Sequence, residues 1–211
     1  MARFCAQRGL RKEETKMKPL AALVCFSGVA LFVPSHSPQG STETKWQRTI
    51  LVDPDHGVPG NISDAGTIKD GIQAVLNRRT NATESWTVLV NPGEYTIDDS
   101  EDAIHLDDRS ENISIVGVNP ESCIIHVTAS GVPGIKITSG QESLRNNAIR
   151  NLTIKTTNGH GIEIVKGQGG NTPKGITIAD CIIEANGNGK VGILKGEAQG
   201  VRIQDCLIVN E

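Results

Sequence analysis

Six side chains stand at spacings that chemistry could use. Lys136 in "GIKI" (134–137) and Glu163 in "GIEI" (161–164) are each the variable residue of the same four-residue unit. Extended chain alternates its side chains between two faces, so the repeated unit puts this cation and this carboxylate on one outward column. There they can form a cross-strand ion pair, or a base beside an acid. Lys155 and Arg202 fall on outward positions of the other strand set and could grip an anionic ligand. Asp180 and Asp205 recur in "ITIADCII" (176–183) and "VRIQDCLI" (201–208), where stacked like charges could share a Ca²⁺ ion or serve as bend residues. A denser run, "DDSEDAIHLDDRSE" (98–111), carries seven carboxylates and one Arg. It lacks the ligand spacing of known Ca²⁺ loops, so a solvated turn is the better expectation there.

The elements that must hold these groups are legible as a repeat. Ile154, Ile178 and Ile203 align in similar surroundings, with Gly-Ile units at 134, 161 and 192 between them. Each period therefore has at least two short strands of period-2 alternation, separated by Gly, Asn and Asp. A repeat of this length built only of such strands indicates a solenoid. Equivalent residues of stacked coils lie about 4.8 Å apart. The expectation is one inward ladder of Ile154, Ile178 and Ile203, a second of Thr157, Cys181 and Cys206, and bends at Thr156, Asp180 and Asp205. No segment beyond residue 85 sustains a helical apolar pattern, but "GTIKDGIQAVLNRRT" (66–80) does, through Ile68, Ile72, Val75 and Leu76, with Thr67 as its cap. All three Phe lie in the first 33 residues, so the core beyond them must be Ile, Val and Leu.

Residues 1–37 have the order of a leader, with a signal peptide from Met17: Lys18, an apolar run from Leu20 to Val33, then small and polar residues. The run is too short to span a bilayer, for which about 20 residues are needed. Without that leader the chain holds 15 basic and 22 acidic residues, a net charge of −7, which disfavours nucleic acid as a partner. Cys123, Cys181 and Cys206 remain, an odd number that gives no complete disulfide framework and suits buried thiols. Four N-x-Ser/Thr sequons occur, at Asn61, Asn81, Asn112 and Asn151, two of them at the start of strands.

The helix at 66–80, then "WTVLVNPGEYTI" (86–97), then "NISIVGVNPESCIIHV" (112–127) resembles the entry to the pectin lyase-like parallel β-helices, the group that includes pectate lyases, pectinesterases and tailspike-type solenoids. The resemblance spans residues 64–211, with the Pro-Gly-x-Tyr segment its most specific part. It implies an all-β, right-handed parallel β-helix of about four coils with an N-terminal capping α-helix, preceded by a linker and entry segment over 38–63. It implies a carbohydrate-active protein acting on or binding acidic polysaccharide, secreted, periplasmic or at the cell surface, and free of the membrane once the leader is removed. Lys136, Lys155, Glu163 and Arg202 are the candidate polysaccharide contacts, and Asp180 with Asp205 the candidate Ca²⁺ site. Relatives of this kind build their sites on middle coils of longer chains, so this chain is expected to be truncated and to lack a complete catalytic site. It could also self-associate through an open C-terminal coil. The alternative is a non-catalytic surface, adhesion or tailspike-like solenoid.

Overall fold

The computed structural model of the protein describes residues 48–140 and 144–210. The leader at 1–37, with its start at Met17, lies outside the described residues. Among the described residues no helix is long and apolar enough to cross a membrane.

Fifteen short strands and one α-helix follow one another along the described chain. Three parallel sheets collect the strands. The first sheet orders β1 (Thr49–Val52), β2 (Trp86–Val90), β5 (Ile113–Gly117), β8 (Ala148–Arg150), β11 (Thr177–Ala179) and β14 (Arg202–Gln204). The second orders β3 (Gly93–Ile97), β6 (Cys123–Val127), β9 (Thr153–Thr156), β12 (Ile182–Ala185) and β15 (Leu207–Asn210). The third orders β4 (Ile104–Leu106), β7 (Ile135–Ser139), β10 (Ile162–Lys166) and β13 (Ile193–Lys195). Each coil thus has three strands, one per sheet, and the molecule is a parallel β-helix of about four coils, the architecture the resemblance implies. The segment expected as linker and entry contributes a strand of its own, since β1 pairs in register with β2.

Alternation makes the interior. The strands show buried residues at every second position, as in Ile113, Ile115 and Gly117 or Ile135, Ile137 and Ser139. Ile50, Val88, Ile115, Ile149 and Ile178 stack along the first sheet, and Ile125, Ile154 and Ile183 along the second, all without solvent exposure. The expected ladder is therefore corrected at one rung. Ile178 stacks on Ile203 but its other neighbour is Ile149, whereas Ile154 pairs with Ile183. Each coil carries an inward Ile both before and after the bend, and aligning one coil's later Ile with the next coil's earlier one shifts the register. The Cys column is corrected likewise. Ile182 pairs with both Thr153 and Leu207, so Cys181 lies between Leu152 and Cys206, and Thr157 is not part of it. Cys123, which precedes the pair Ile124 and Thr153, extends the same column.

The bend is set by the residue before that column. Asn151, Asp180 and Asp205 have φ of 55°, 55° and 52°, a left-handed conformation that Asn and Asp tolerate through local hydrogen bonding. Thr156, expected as a bend residue, is instead a buried strand end whose hydroxyl donates to the Gly159 carbonyl at 2.7 Å. A second left-handed column, Asn112, Asn146, Gly175 and Gly200, precedes the first-sheet strands, and Asn146 Nδ2 donates to Asn112 Oδ1 at 3.1 Å.

The helix α1 (Ile68–Arg78) covers the start of the solenoid, and Thr67 caps it by accepting from Asp70 N at 3.0 Å. Its buried face holds Ile68, Gly71, Ile72 and Val75. Gly71 is required by closeness: a Cβ there would lie 2.5 Å from Val52 Cγ2 and 3.1 Å from Val88 Cγ1. At the other end the inward positions Ile203 and Ile208 are 48% and 42% exposed.

Candidate functional site

A groove of about 480 Å³ runs between α1 and the third sheet. Its polar lining comes from Lys69 and Gln73 on α1, Ser100 and Glu101 before β4, His105, Asp107, Arg109 and Ser110 around β4, and Lys136 on β7. Ile72, Leu76, Val132 and Pro133 supply apolar wall. An adjoining recess of about 630 Å³ shares Asp107 and Arg109 and reaches Thr138 and Gly167.

The turn that shapes the groove is tied down from both sides. Residues Asp108–Ser110 form a 3-10 turn capped by Asp107, whose carboxylate accepts from Arg109 N at 3.0 Å and from Ser110 Oγ at 3.2 Å. Arg79, at the end of α1, donates to the carbonyls of Arg109 and of Glu111. The next coil grips the turn through Gly140 N to Asp108 Oδ1 at 2.6 Å and Asn147 Nδ2 to the Ser110 carbonyl at 2.6 Å. Three of the seven acids of 98–111 are thus caps or anchors, Asp107, Asp108 and Asp99, which accepts from Glu101 N at 3.0 Å, while Asp98, Asp99, Glu101 and Asp102 are exposed, as a solvated turn requires.

The electrostatics are mixed and locally paired. His105 Nε2 lies 2.5 Å from Thr138 Oγ1 on the neighbouring coil. Desolvation by the groove walls pushes the His105 pKa below its ordinary value although the ring still reaches solvent; Lys136 and Arg109 push the same way, while Asp107 and Glu163 oppose them. Burial raises the Asp107 carboxyl, but the hydrogen bonds from Arg109 outweigh it and hold it below the usual range. The Arg109 guanidinium grips Asp107 through Nη2 at 2.8 Å and Nε at 3.1 Å. Lys69 sits 3.5 Å from Asp102. Lys136 is the least engaged cation of the groove: Glu163 Oε2 is 4.0 Å away, at the edge of an ion pair, with Lys136 40% exposed. An imidazole, two carboxylates (Glu101 and Asp107) and three cations over an apolar wall suit the binding of a polar ligand with one acidic group. No nucleophile, base and orienting acid are linked by hydrogen bonds among the groove residues, which is the arrangement that covalent catalysis needs.

The structure places the expected site residues on three faces. Lys136 and Glu163 are direct register partners on the third sheet, as the repeated unit requires. Lys155 lies on the second sheet and pairs with Glu184 at 3.2 Å. Arg202 lies on the first sheet, beside Thr177, so Lys155 and Arg202 do not share a strand set. Asp180 and Asp205 occupy the bends between the first and second sheets, one coil apart; among the described residues no three His, Cys, Asp or Glu side chains come together to hold a metal ion. Only Lys136 lines the groove. The sequence reading missed His105, Asp107, Arg109, Lys69 and Gln73 as neighbours. One signal was available: "AIHL" (103–106) is the same unit as "GIKI" and "GIEI", and His105 pairs with Lys136 in register as Lys136 does with Glu163.

No protein-family model matches the sequence, and no curated protein matches it. Among solved structures, pectin methylesterase PemA from Erwinia chrysanthemi is similar, at 14% identity and a TM-score of 0.41 over 74% of this chain and 54% of that one. The chain thus spans about half the length of that protein. The likeness is one of β-helix architecture, and no residue is carried across.

Proposed function

We propose that this chain is an exported, carbohydrate-binding parallel β-helix that holds an acidic polysaccharide in the groove between α1 and the third sheet, without turnover by the described residues alone. The observation that carries this reading is Lys136, an outward cation lining the groove, flanked along its column by His105 and Glu163 and only loosely paired. A carboxylated sugar satisfies such a cation with its acid and lays its C–H face on Val132 and Pro133. The net charge of −7 beyond the leader repels polyanions at long range, so binding must come from this local cluster and must weaken with salt. The test is titration of purified chain with polygalacturonate at low and moderate salt, alongside assays for unsaturated ends, reducing ends and methanol. Salt-sensitive binding without product is the expected result. Absence of binding at low salt, or turnover that disappears in Lys136→Ala or His105→Ala, would overturn the reading.

A further inference from the structure

The four sequons are alike in sequence and unlike in structure, and that contrast singles out one modification site. Transfer of a glycan to an Asn-x-Ser/Thr sequon requires the amide nitrogen to reach a donor while the hydroxyl two residues on sits beside the Asn side chain. Three of the four are occupied otherwise. Asn151 is held in the left-handed bend (φ 55°), its next residue Leu152 is fully buried, and the Thr153 hydroxyl is buried and donates to the Pro120 carbonyl at 2.6 Å. Asn112, also left-handed at φ 59°, donates through Nδ2 to the Ala82 carbonyl at 2.8 Å and accepts from Asn146 through Oδ1. At Asn61 the side-chain Oδ1 accepts from Ser63 N at 2.8 Å, while the Ser63 hydroxyl is taken by His56 Nδ1 at 2.9 Å.

Asn81 shares with Asn61 the bond from the backbone N–H two residues on, but differs in the sequon hydroxyl and in its surroundings. It is exposed in the loop between α1 and β2, outside both the ladders and the bend columns. Its Oδ1 accepts from Thr83 N at 3.0 Å and from the Thr83 hydroxyl at 2.6 Å, so the sequon is folded on itself with the hydroxyl already on the amide. Its Nδ2 makes no hydrogen bond to the described residues, and the residue is exposed. Thr83 is exposed as well, and Ala82 is a residue without bulk. We infer that Asn81 is an N-glycan acceptor of this protein and that Asn61, Asn112 and Asn151 are not acceptors in the folded chain. In the transfer, Asn81 Nδ2 bonds to the anomeric carbon of a lipid-linked oligosaccharide diphosphate. The sugar–phosphate bond breaks, the lipid diphosphate leaves, and the amide proton passes to a base of the transferase. Ala82 borders the recess beside Arg109, so the glycan would stand at its rim.

The inference shares the premise of export with the polysaccharide-binding reading, but its test does not depend on either. Full-length chain purified from a host without the transferase is incubated, folded, with an oligosaccharyltransferase and a lipid-linked oligosaccharide donor, and its peptides are mapped by mass. The expected result is one glycan per chain, on Asn81, abolished in Asn81→Gln and in Thr83→Ala and retained in Thr83→Ser. A synthetic peptide covering 78–87 serves as the positive control. Modification at Asn61, Asn112 or Asn151 in the folded chain, or none at Asn81 while the peptide is modified, would overturn the inference. Asn81→Gln should leave polygalacturonate binding by the unmodified chain unchanged.

Discussion

The segments most alike in sequence, 176–183 and 201–208, form plain rungs of the solenoid, while the least regular stretch, 98–111, builds the groove. The two regions differ in what their polar residues do. In the duplicated rungs Asp180 and Asp205 only bend the backbone, and Cys181 and Cys206 fill one inward column. Around residue 105 the same general supply of acids and cations is folded into a capped turn, locked by Arg79, Asn147 and Gly140 against two neighbouring elements. A solenoid gains its stability from repetition, each coil burying its neighbour's face. Departures from the repeat are where it can acquire a concave surface, because only an insertion can stand out from the stacked sheets.

The largest expected effect breaks the comparison at the core. Ile115→Ala, in the middle of a fully buried ladder, should cost about 2 to 5 kcal/mol, whereas Ile208→Ala, at a position 42% exposed, should cost about 1 kcal/mol or less. Urea unfolding of both variants checks this, and equal losses would show the end coil to be covered in solution. A smaller effect separates the twin cysteines. Cys181 is buried, with its thiol pushed up to about 11 chiefly by burial, and Cys206 is only partly buried. Cys181→Ser should therefore cost roughly 1 to 3 kcal/mol and Cys206→Ser less, with Cys206 labelled first by a bulky thiol reagent in the native state.

The next effect sharpens the groove side. Lys136→Ala should weaken polygalacturonate binding about three- to tenfold, on the order of 1 kcal/mol, while Lys155→Ala and Arg202→Ala, on other faces, should leave it within about twofold. Calorimetric titration distinguishes the three. The smallest effect is in pH. His105 has its folded pKa depressed below 6.5, so the unfolded chain takes up a proton first. Its contribution to stability is present above about pH 6.5 and is lost as the pH falls through the depressed folded value. His105→Gln should flatten that part of the stability profile, and an unchanged slope would show the ring to be well solvated.

Much of this architecture was fixed by local chemistry and could be read without coordinates. Period-2 runs of Ile and Val force strands with one buried face, and Asn, Asp and Gly at intervals supply left-handed bends. The apolar stripe of 66–80 behind Thr67 makes a capped helix. The pairing of Lys136 with Glu163 follows from the unit they share. Which Ile stacks on which was not local: several inward Ile per coil are interchangeable in sequence, and only closure of each coil on the one below selects Ile149 over Ile154 as the neighbour of Ile178. The groove was decided at the same level. His105 and Lys136 share the repeated unit, but Lys69 and Arg109 come from segments outside it, and they join the pair because α1 lies over the first coil and the turn at 108–110 is pinned against it. The chain's alternation determined that a β-helix would form, and the packing of non-repeating segments on that helix determined where a ligand could sit.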